Sequence, residues 1–325
     1  MIKPIGIVAG EPNSISSEII FESWKNKKKY KNKPFFIIGS FKLFNLQKKK
    51  LNYKIKIKAI DYKHNLNNLN FNYLNIFDVN FNQKKPFEKI TTKSNEYIFK
   101  CFNVAIKLLK EKKIIGLINC PVKKETLFKN NHKGITEYLS RKSNTTGNEV
   151  MLIYNKNLSV CPITTHIPLK QVSKKIKKNI IIKKIKTINH FYKSFLNKKP
   201  KFAVLGLNPH NFTYLKNPEE KEIISKAIKS IKKMKINVQG PVSTDTSFMN
   251  YKKFKYNIIV GMYHDQVLTS FKSMFRYNAI NVTLGLPFIR VSPDHGVAED
   301  IVGKKKADSK SLIESIKFFN YIKVK

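Results

Sequence analysis

Apolar residues along this chain gather in short runs, each closed by turn-forming residues. IGIVAG precedes EPNS, PFFIIG precedes SF, IIGLINC precedes PVKK, SVCPITT precedes HIPL, FAVLGL precedes NPHN and NIIVGM precedes YHDQ. Between several of these runs the apolar residues adopt helical spacing instead, as with Tyr97, Phe102, Ala105, Ile106 and Leu109, and again with Ile223, Ile224, Ala227 and Ile231. Short strands alternating with helices predict an α/β chain built on a largely parallel sheet. In open sheets of that kind ligands bind beyond the carboxyl ends of the strands, so chemistry is expected just after each run. The Lys/Asn-rich stretch 61–95 reads as a variable excursion, and no internal repeat is visible.

At 325 residues the chain has length for two lobes, since domains commonly run ~100–200 residues. Its 42% hydrophobic and 12% aromatic content gives enough apolar surface to offset ordering entropy, which excludes a disordered tail. Charge pulls the reading elsewhere: 63 Lys and Arg against 21 Asp and Glu give a formal +42, a balance that suits nucleic acid or an anionic membrane surface. The lysines, however, are spread through KNKKKYKNK, QKKKLNYKIKIK, KKIKKNIIIKKIK and IKKMKI, mixed with Asn and Ile, and no aromatic-basic recognition motif accompanies them. Such enrichment fits drift in an A+T-biased genome, with lysine filling solvated faces, so no specific nucleic acid and no membrane is expected as partner. Cys101, Cys120 and Cys161 form no CxxC pair, which suits a reduced, cytoplasmic home. Neither a signal-peptide apolar stretch nor a run of about 18 apolar residues is present.

Three of the seven histidines stand just after strand-like runs: His166 after SVCPITT, His210 after FAVLGLNP and His264 after NIIVGMY. The others, His64, His132, His190 and His295, lack that context. Three neutral imidazoles suit a divalent ion, zinc first, with cobalt or magnesium as the other candidates, leaving positions open for a substrate. Such an ion acts as a Lewis acid toward a hydroxyl. Asp245 and Asp265 are the nearest acids, able to orient an imidazole or pass a proton, although Asp245 suits a helix cap or turn equally well. Lys272, Asn281 and Arg290 surround a further apolar stretch and offer two cations and an amide to a phosphate or carboxylate. A GxGxxG fingerprint is absent, the first strand running into GEPNSISSEII, so a standard Rossmann dinucleotide site is not expected.

GEP at 10–12, CPVKK at 120–124, TTHIPL at 164–169, LGLNPH at 205–210, DT at 245–246, YHDQ at 263–266 and INVTLGLPFIRVSPDHG at 280–296 together resemble the 4-hydroxythreonine-4-phosphate dehydrogenase family of vitamin B6 biosynthesis. The resemblance runs in family order along almost the whole chain. It implies a homodimer with an isocitrate/isopropylmalate-dehydrogenase-like α/β/α fold and two lobes flanking a cleft, approximately 1–120 with 260–325 and 121–259. It implies metal ligands His166, His210 and His264 drawn from both subunits, substrate contacts at Thr136, Lys272, Asn281 and Arg290, and supporting acids at Asp245 and Asp265. The implied reaction is oxidation of 4-phosphooxy-L-threonine with NAD, or NADP, to a β-keto acid that loses CO₂ and gives 3-amino-2-oxopropyl phosphate. No cofactor-binding residue is assigned.

The chain departs from the family pattern in three places. GEPAGIGP becomes GEPNSISS, GHTE becomes GITE with Ile135 where a substrate-contacting histidine belongs, and the glycine-rich segment after NPH becomes NFTYLKNPEE. Isoleucine neither donates a hydrogen bond nor carries charge. That change keeps open a related dehydrogenase acting on a phosphorylated threonate or erythronate. A third reading is a nucleic-acid-binding protein on a degenerate enzyme scaffold, against which the retention of all the metal and anion positions argues.

Overall fold

The computed structural model describes residues 3–29, 33–128, 134–211, 218–276 and 278–323. Within them run the strands β1 (Ile5–Val8), β2 (Phe35–Gly39), β3 (Ile57–Ile60), β4 (Leu74–Asp78), β5 (Gly116–Asn119), β6 (Val150–Tyr154), β7 (Ser159–Thr164), β8 (Phe202–Leu205), β9 (Val238–Val242), β10 (Ile258–Tyr263), β11 (Ile280–Leu284) and β12 (Ile289–Pro293). The chain divides into two compact units, Met1–Glu149 with Leu286–Tyr321 and Val150–Gly285 with Ile322–Lys325. These boundaries differ from those expected at 120/121 and 259/260. The difference has a physical origin: β10 pairs in parallel with β7 and β8, and β11 pairs antiparallel with β6, so 260–285 belongs to the second unit's own sheet.

In the first unit the strand order is β3-β4-β2-β1-β5-β12, and every pairing is parallel. β1, β2 and β5 are buried along their full length, as continuous apolar runs require when both faces of a parallel sheet are covered. Helix Asn95–Lys110 buries Tyr97, Ile98, Cys101, Phe102, Ala105, Ile106 and Leu108, a stripe at three- and four-residue spacing that faces the core. Phe36, Phe77, Leu117, Leu127, Phe128, Ile135 and Leu139 join this stripe in one cluster. The chain starts at β1, builds outward through β2 to β4 and β3, then returns to β1's other side as β5. The reversal point of the sheet therefore lies between β1 and β5, which is where open α/β sheets place ligands, at the strands' carboxyl ends.

The second unit has the order β11-β6-β7-β10-β8-β9, with β11, β6 and β7 antiparallel in succession and β7, β10, β8 and β9 parallel. The expected parallel sheet is thus complete in the first unit and confined to four strands of the second. Helix Lys178–Phe195 buries Ile181, Ile185, Ile188, Phe191 and Tyr192 while Lys178, Lys183, Lys186 and Lys193 stay toward solvent, the division that an amphipathic helix makes on a sheet. A second core gathers Val160, Ala203, Leu205, Ile259, Val267, Leu268 and Phe271. Among the described residues no helix is long and apolar enough to cross a membrane.

Candidate functional site

In the second unit β7, β10 and β8 lie side by side and parallel, so their carboxyl ends share one edge. β7 ends at Thr164, opposite Tyr263 of β10, and the chain then carries His166 and His264 off adjacent strand ends. Their ring centroids lie 5.6 Å apart. His210 leaves β8 at the same edge. Both His166 and His210 adopt left-handed backbone, with φ of 49° and 52°, a conformation that costs a non-glycine residue energy and tends to collect at functional sites. His264 opens the helix His264–Phe275, and its Nδ1 lies 2.6 Å from Asp265 Oδ1. With a proton on Nδ1 shared with that carboxylate, Nε2 keeps the lone pair that a metal needs.

Gln266 joins the ends of β10, β8 and β9. Its Oε1 accepts from Met262 N at 2.6 Å, and its Nε2 donates to Gly206 O at 2.7 Å and to Thr244 Oγ1 at 3.0 Å. It is buried, and this one amide links β10 to the loops that lead to His210 and Asp245. Glu220, also buried, accepts from Leu207 N and Asn208 N at 2.8 Å each and fixes the turn before His210. Of the segment NFTYLKNPEE, residues 212–217 lie outside the described residues.

The imidazole pair fits a shared ion, since a metal–nitrogen bond of ~2 Å sets two ligated rings about 5 Å apart between centroids. Among the described residues no group of three or more His, Cys, Asp or Glu is placed to hold a metal ion. Asp245 is exposed and accepts from Thr246 N at 2.8 Å, a bond within its own turn. Lys272 lies exposed two turns along the helix from His264. Asn281, second residue of β11, is half-buried, and its Oδ1 is buried without a hydrogen-bond partner among the described residues.

In the first unit two of the expected substrate contacts meet. Arg290 sits on β12 opposite Leu117 of β5, and the two-residue period of a strand puts Asn119 on the same face as Leu117. Arg290 Nε donates to Asn119 Oδ1 at 2.8 Å and Nη1 donates to Thr136 Oγ1 at 3.3 Å. Arg290 is only 4% exposed, and burial pushes its pKa down to about 10, partly offset by the Glu137 carboxylate. It therefore remains a cation at neutral pH. Thr136 stands in the first turn of helix Ile135–Lys142, while Ile135 beside it packs into the core with Leu127, Phe128 and Tyr138.

Gly10 ends the run from β1 with φ of 76°, and a Cβ there would come within 2.4 Å of Pro121 O, so only glycine lets these two strand ends approach so closely. The following GEPNSISS loop carries hydrogen-bonding side chains where the family pattern has alanine, glycine and proline. Asn13 Nδ2 donates to Gln83 Oε1 at 3.2 Å, Gln83 Nε2 returns a bond to Asn13 Oδ1 at 2.9 Å, and Ser14 Oγ donates to Glu11 O at 2.7 Å. Glu11 is buried and accepts from Ser94 Oγ at 3.0 Å. Burial pushes its carboxyl above the usual glutamate range, against the hydrogen bonds from Asn13 and Ser94. Lys123 and Glu299 pair at 2.5 Å and act on Glu11 through space. Glu11 and Gln266 stand inside the GEP and YHDQ matches without a role of their own there, and Asn119 and Glu220 lie in no match. The signal that could have found Asn119 is its place at a strand end, the rule that found the histidines.

Comparison with known proteins completes the description. A protein of Sulfurihydrogenibium sp. (strain YO3AOP1) named 4-hydroxythreonine-4-phosphate dehydrogenase is 37% identical over 97% of both chains. One of Salmonella typhimurium named D-threonate 4-phosphate dehydrogenase is 30% identical over 97% of both. The crystal structure of 4-hydroxythreonine-4-phosphate dehydrogenase from Klebsiella pneumoniae superposes with a TM-score of 0.86 at 30% identity, covering 98% of this chain and 97% of that one. The family described as pyridoxal phosphate biosynthetic protein PdxA matches residues 31–319. With most of its length matched and its strand ends carrying the expected side chains, the chain belongs to the PdxA family.

Proposed function

We propose that this protein oxidises the secondary hydroxyl of 4-phosphooxy-L-threonine with NAD, or NADP, in the formation of pyridoxal 5'-phosphate. The observation that carries this reading is Arg290: a buried cation bonded to Thr136, both at positions expected to contact a phosphorylated substrate. Membership of the PdxA family and the activity named for its relatives support it. The hydroxyl carbon loses a hydride to the nicotinamide and its oxygen loses a proton. The product is a β-keto acid, 2-amino-3-oxo-4-phosphooxybutanoate, which releases CO₂ to give 3-amino-2-oxopropyl phosphate. A divalent ion, when bound, supplies a Lewis acid that eases loss of the hydroxyl proton. Arg290, Thr136, Lys272 and Asn281 bind and orient the substrate. Asp265 fixes the His264 tautomer, and Asp245 is a further acid at that sheet edge. The resemblance implies a homodimer whose sites draw histidines from both subunits, and the adjacency of the His166 and His264 rings in one chain makes His210 the residue a second copy provides.

A second reading, a dehydrogenase of D-threonate 4-phosphate, is kept open by Ile135 and supported by a relative named for that activity. The Ile135 side chain is committed to the core and cannot supply the polar contact that the family's histidine gives. Purified protein with a divalent metal and NAD, offered each substrate in turn, separates the two readings by the rate of NADH formation. Turnover of 4-phosphooxy-L-threonine at a kcat/KM well above that of D-threonate 4-phosphate is expected. The reverse preference overturns the first reading in favour of the second, and no NADH or NADPH with either sinks both.

A further inference from the structure

Gln266 follows His264 closely in the chain, yet its amide reaches toward His210. It is the third residue of helix His264–Phe275 and 8% exposed. A glutamine or glutamate at that position commonly turns back to the start of its own helix, and Oε1 does so by accepting from Met262 N at 2.6 Å. A carboxylate would make that bond equally well. What only the amide provides is the other end: Nε2 donates to Gly206 O at 2.7 Å and to Thr244 Oγ1 at 3.0 Å. Met262 N can only donate and Gly206 O can only accept, so the amide sits one way round. Gly261 leaves room for it, since a Cβ there would come within 2.9 Å of Oε1.

Gly206 is the first residue after β8 and leads through 207–209 to His210. Its N donates to Val242 O at 3.1 Å, and a Cβ on it would meet Asn211 Oδ1 at 2.2 Å, so this backbone lies directly against the residue that follows His210. Glu220 holds the amide groups of Leu207 and Asn208, and Gln266 holds the carbonyl before them. We propose that Gln266 is a positioning residue for His210: its Nε2 fixes the strand end from which that imidazole is presented, while its Oε1 serves the helix that carries His264. This role rests on the dimer reading above, in which a second copy provides His210. It makes Gln266 act on a site built around the other copy's His166 and His264, although its own neighbour in sequence works at home.

The diagnostic change is Gln266→Glu. It keeps the shape and the bond from Met262 N, and Thr244 Oγ1 can turn its hydrogen toward a carboxylate, whereas the Gly206 carbonyl then faces another acceptor. Zn²⁺ affinity, measured by calorimetry on metal-free protein, should fall roughly ten- to a hundredfold, the usual effect of removing a group that orients a ligand, with activity falling alongside. Mixed dimers then tell which histidine is disturbed. After subunit exchange, Gln266→Glu with His264→Ala should bind Zn²⁺ at parent affinity in one site of each mixed dimer and regain activity, because that site takes His166 and His264 from the first chain and an undisturbed His210 from the second. Gln266→Glu with His210→Ala should regain neither. Gln266→Met, which cannot donate at any pH, is carried through the same mixtures, so that a carboxyl that takes up a proton and donates in the amide's place does not mask the effect. Parent-like Zn²⁺ affinity in both Gln266 variants overturns the proposal. So does recovery with His210→Ala, or with neither partner, while His210→Ala and His264→Ala still complement each other. If that control pair also fails, the division of histidines between subunits falls, and the role of Gln266 with it.

Discussion

At the scale of single residues, burial sets the electrostatics of the first unit. Glu11 is a carboxylate with 1% of its surface exposed, and desolvation raises its pKa above the ordinary glutamate value. The folded chain therefore holds that proton more tightly than the unfolded chain does. Stability contributed by the protonated form is present at low pH and falls as pH rises from the ordinary glutamate range through the raised value. Glu11→Gln removes this cost, because a neutral amide has no charged form to desolvate. Calorimetry near neutral pH should give a higher melting temperature for Glu11→Gln than for the parent, and the gap should close as pH falls into the ordinary glutamate range. A constant gap across pH would mean that packing, and not ionisation, separates them. Arg290 faces the same desolvation with the opposite charge, but its pKa stays near 10, so its cationic state is constant through the range in which enzymes work.

Elements follow burial in the same way. Phe102 is fully buried on helix Asn95–Lys110, whereas Lys100 on the same helix pairs with Glu96 at 2.7 Å in the open, with side chains 58% and 79% exposed. Phe102→Ala should cost about 3–5 kcal/mol of unfolding free energy in urea titration, and Lys100→Ala less than about 0.5 kcal/mol. Near-equal losses would show that the helix is not held by its apolar stripe. The same contrast explains which elements were legible. The six apolar runs became β1, β2, β5, β7, β8 and β10, because strands buried on both faces need unbroken apolar sequence. β3 is largely exposed and β9 carries Gly240 and Pro241, so neither shows a run. β4 lies inside the stretch read as an excursion, where its buried Asn75 is satisfied by bonds to Asn70 O and Tyr73 O and breaks the apolar signal. The histidine positions were legible because strand ends are local features. The Asn119–Arg290 bond joins residues 171 apart, through a strand pairing that no local pattern announces.

For the whole molecule, assembly is the open variable that sequence and structure bear on together. If His166 and His264 of one chain share an ion with a second copy's His210, inactive variants should complement selectively. His210→Ala mixed with His264→Ala leaves one complete ligand set per heterodimer, so activity should return to about a quarter of the parent level in an equal mixture, since half the dimers are mixed and each of those has one working site. His166→Ala mixed with His264→Ala should recover nothing, because both losses fall in the same pair of rings. Recovery in the second mixture with none in the first, after confirmed subunit exchange, would reject this division of ligands. The reciprocal bonds between Asn13 and Gln83 have a consequence of a different kind, one of inheritance. Asn13 Oδ1 also accepts from Glu88 N at 2.8 Å and Gln83 Nε2 also donates to Lys85 O at 2.9 Å, so losing either amide leaves one polar atom of its mate unpaired at a cost of about 1–3 kcal/mol, a cost that losing both does not repeat. Asn13→Ala and Gln83→Ala should therefore be strongly sub-additive, with a coupling of ~0.5–3 kcal/mol in a double-mutant cycle. Additive losses would show that the two amides act independently. Two codons 70 positions apart are thereby made interdependent, and any exchange of the pair crosses a less stable intermediate whichever codon changes first.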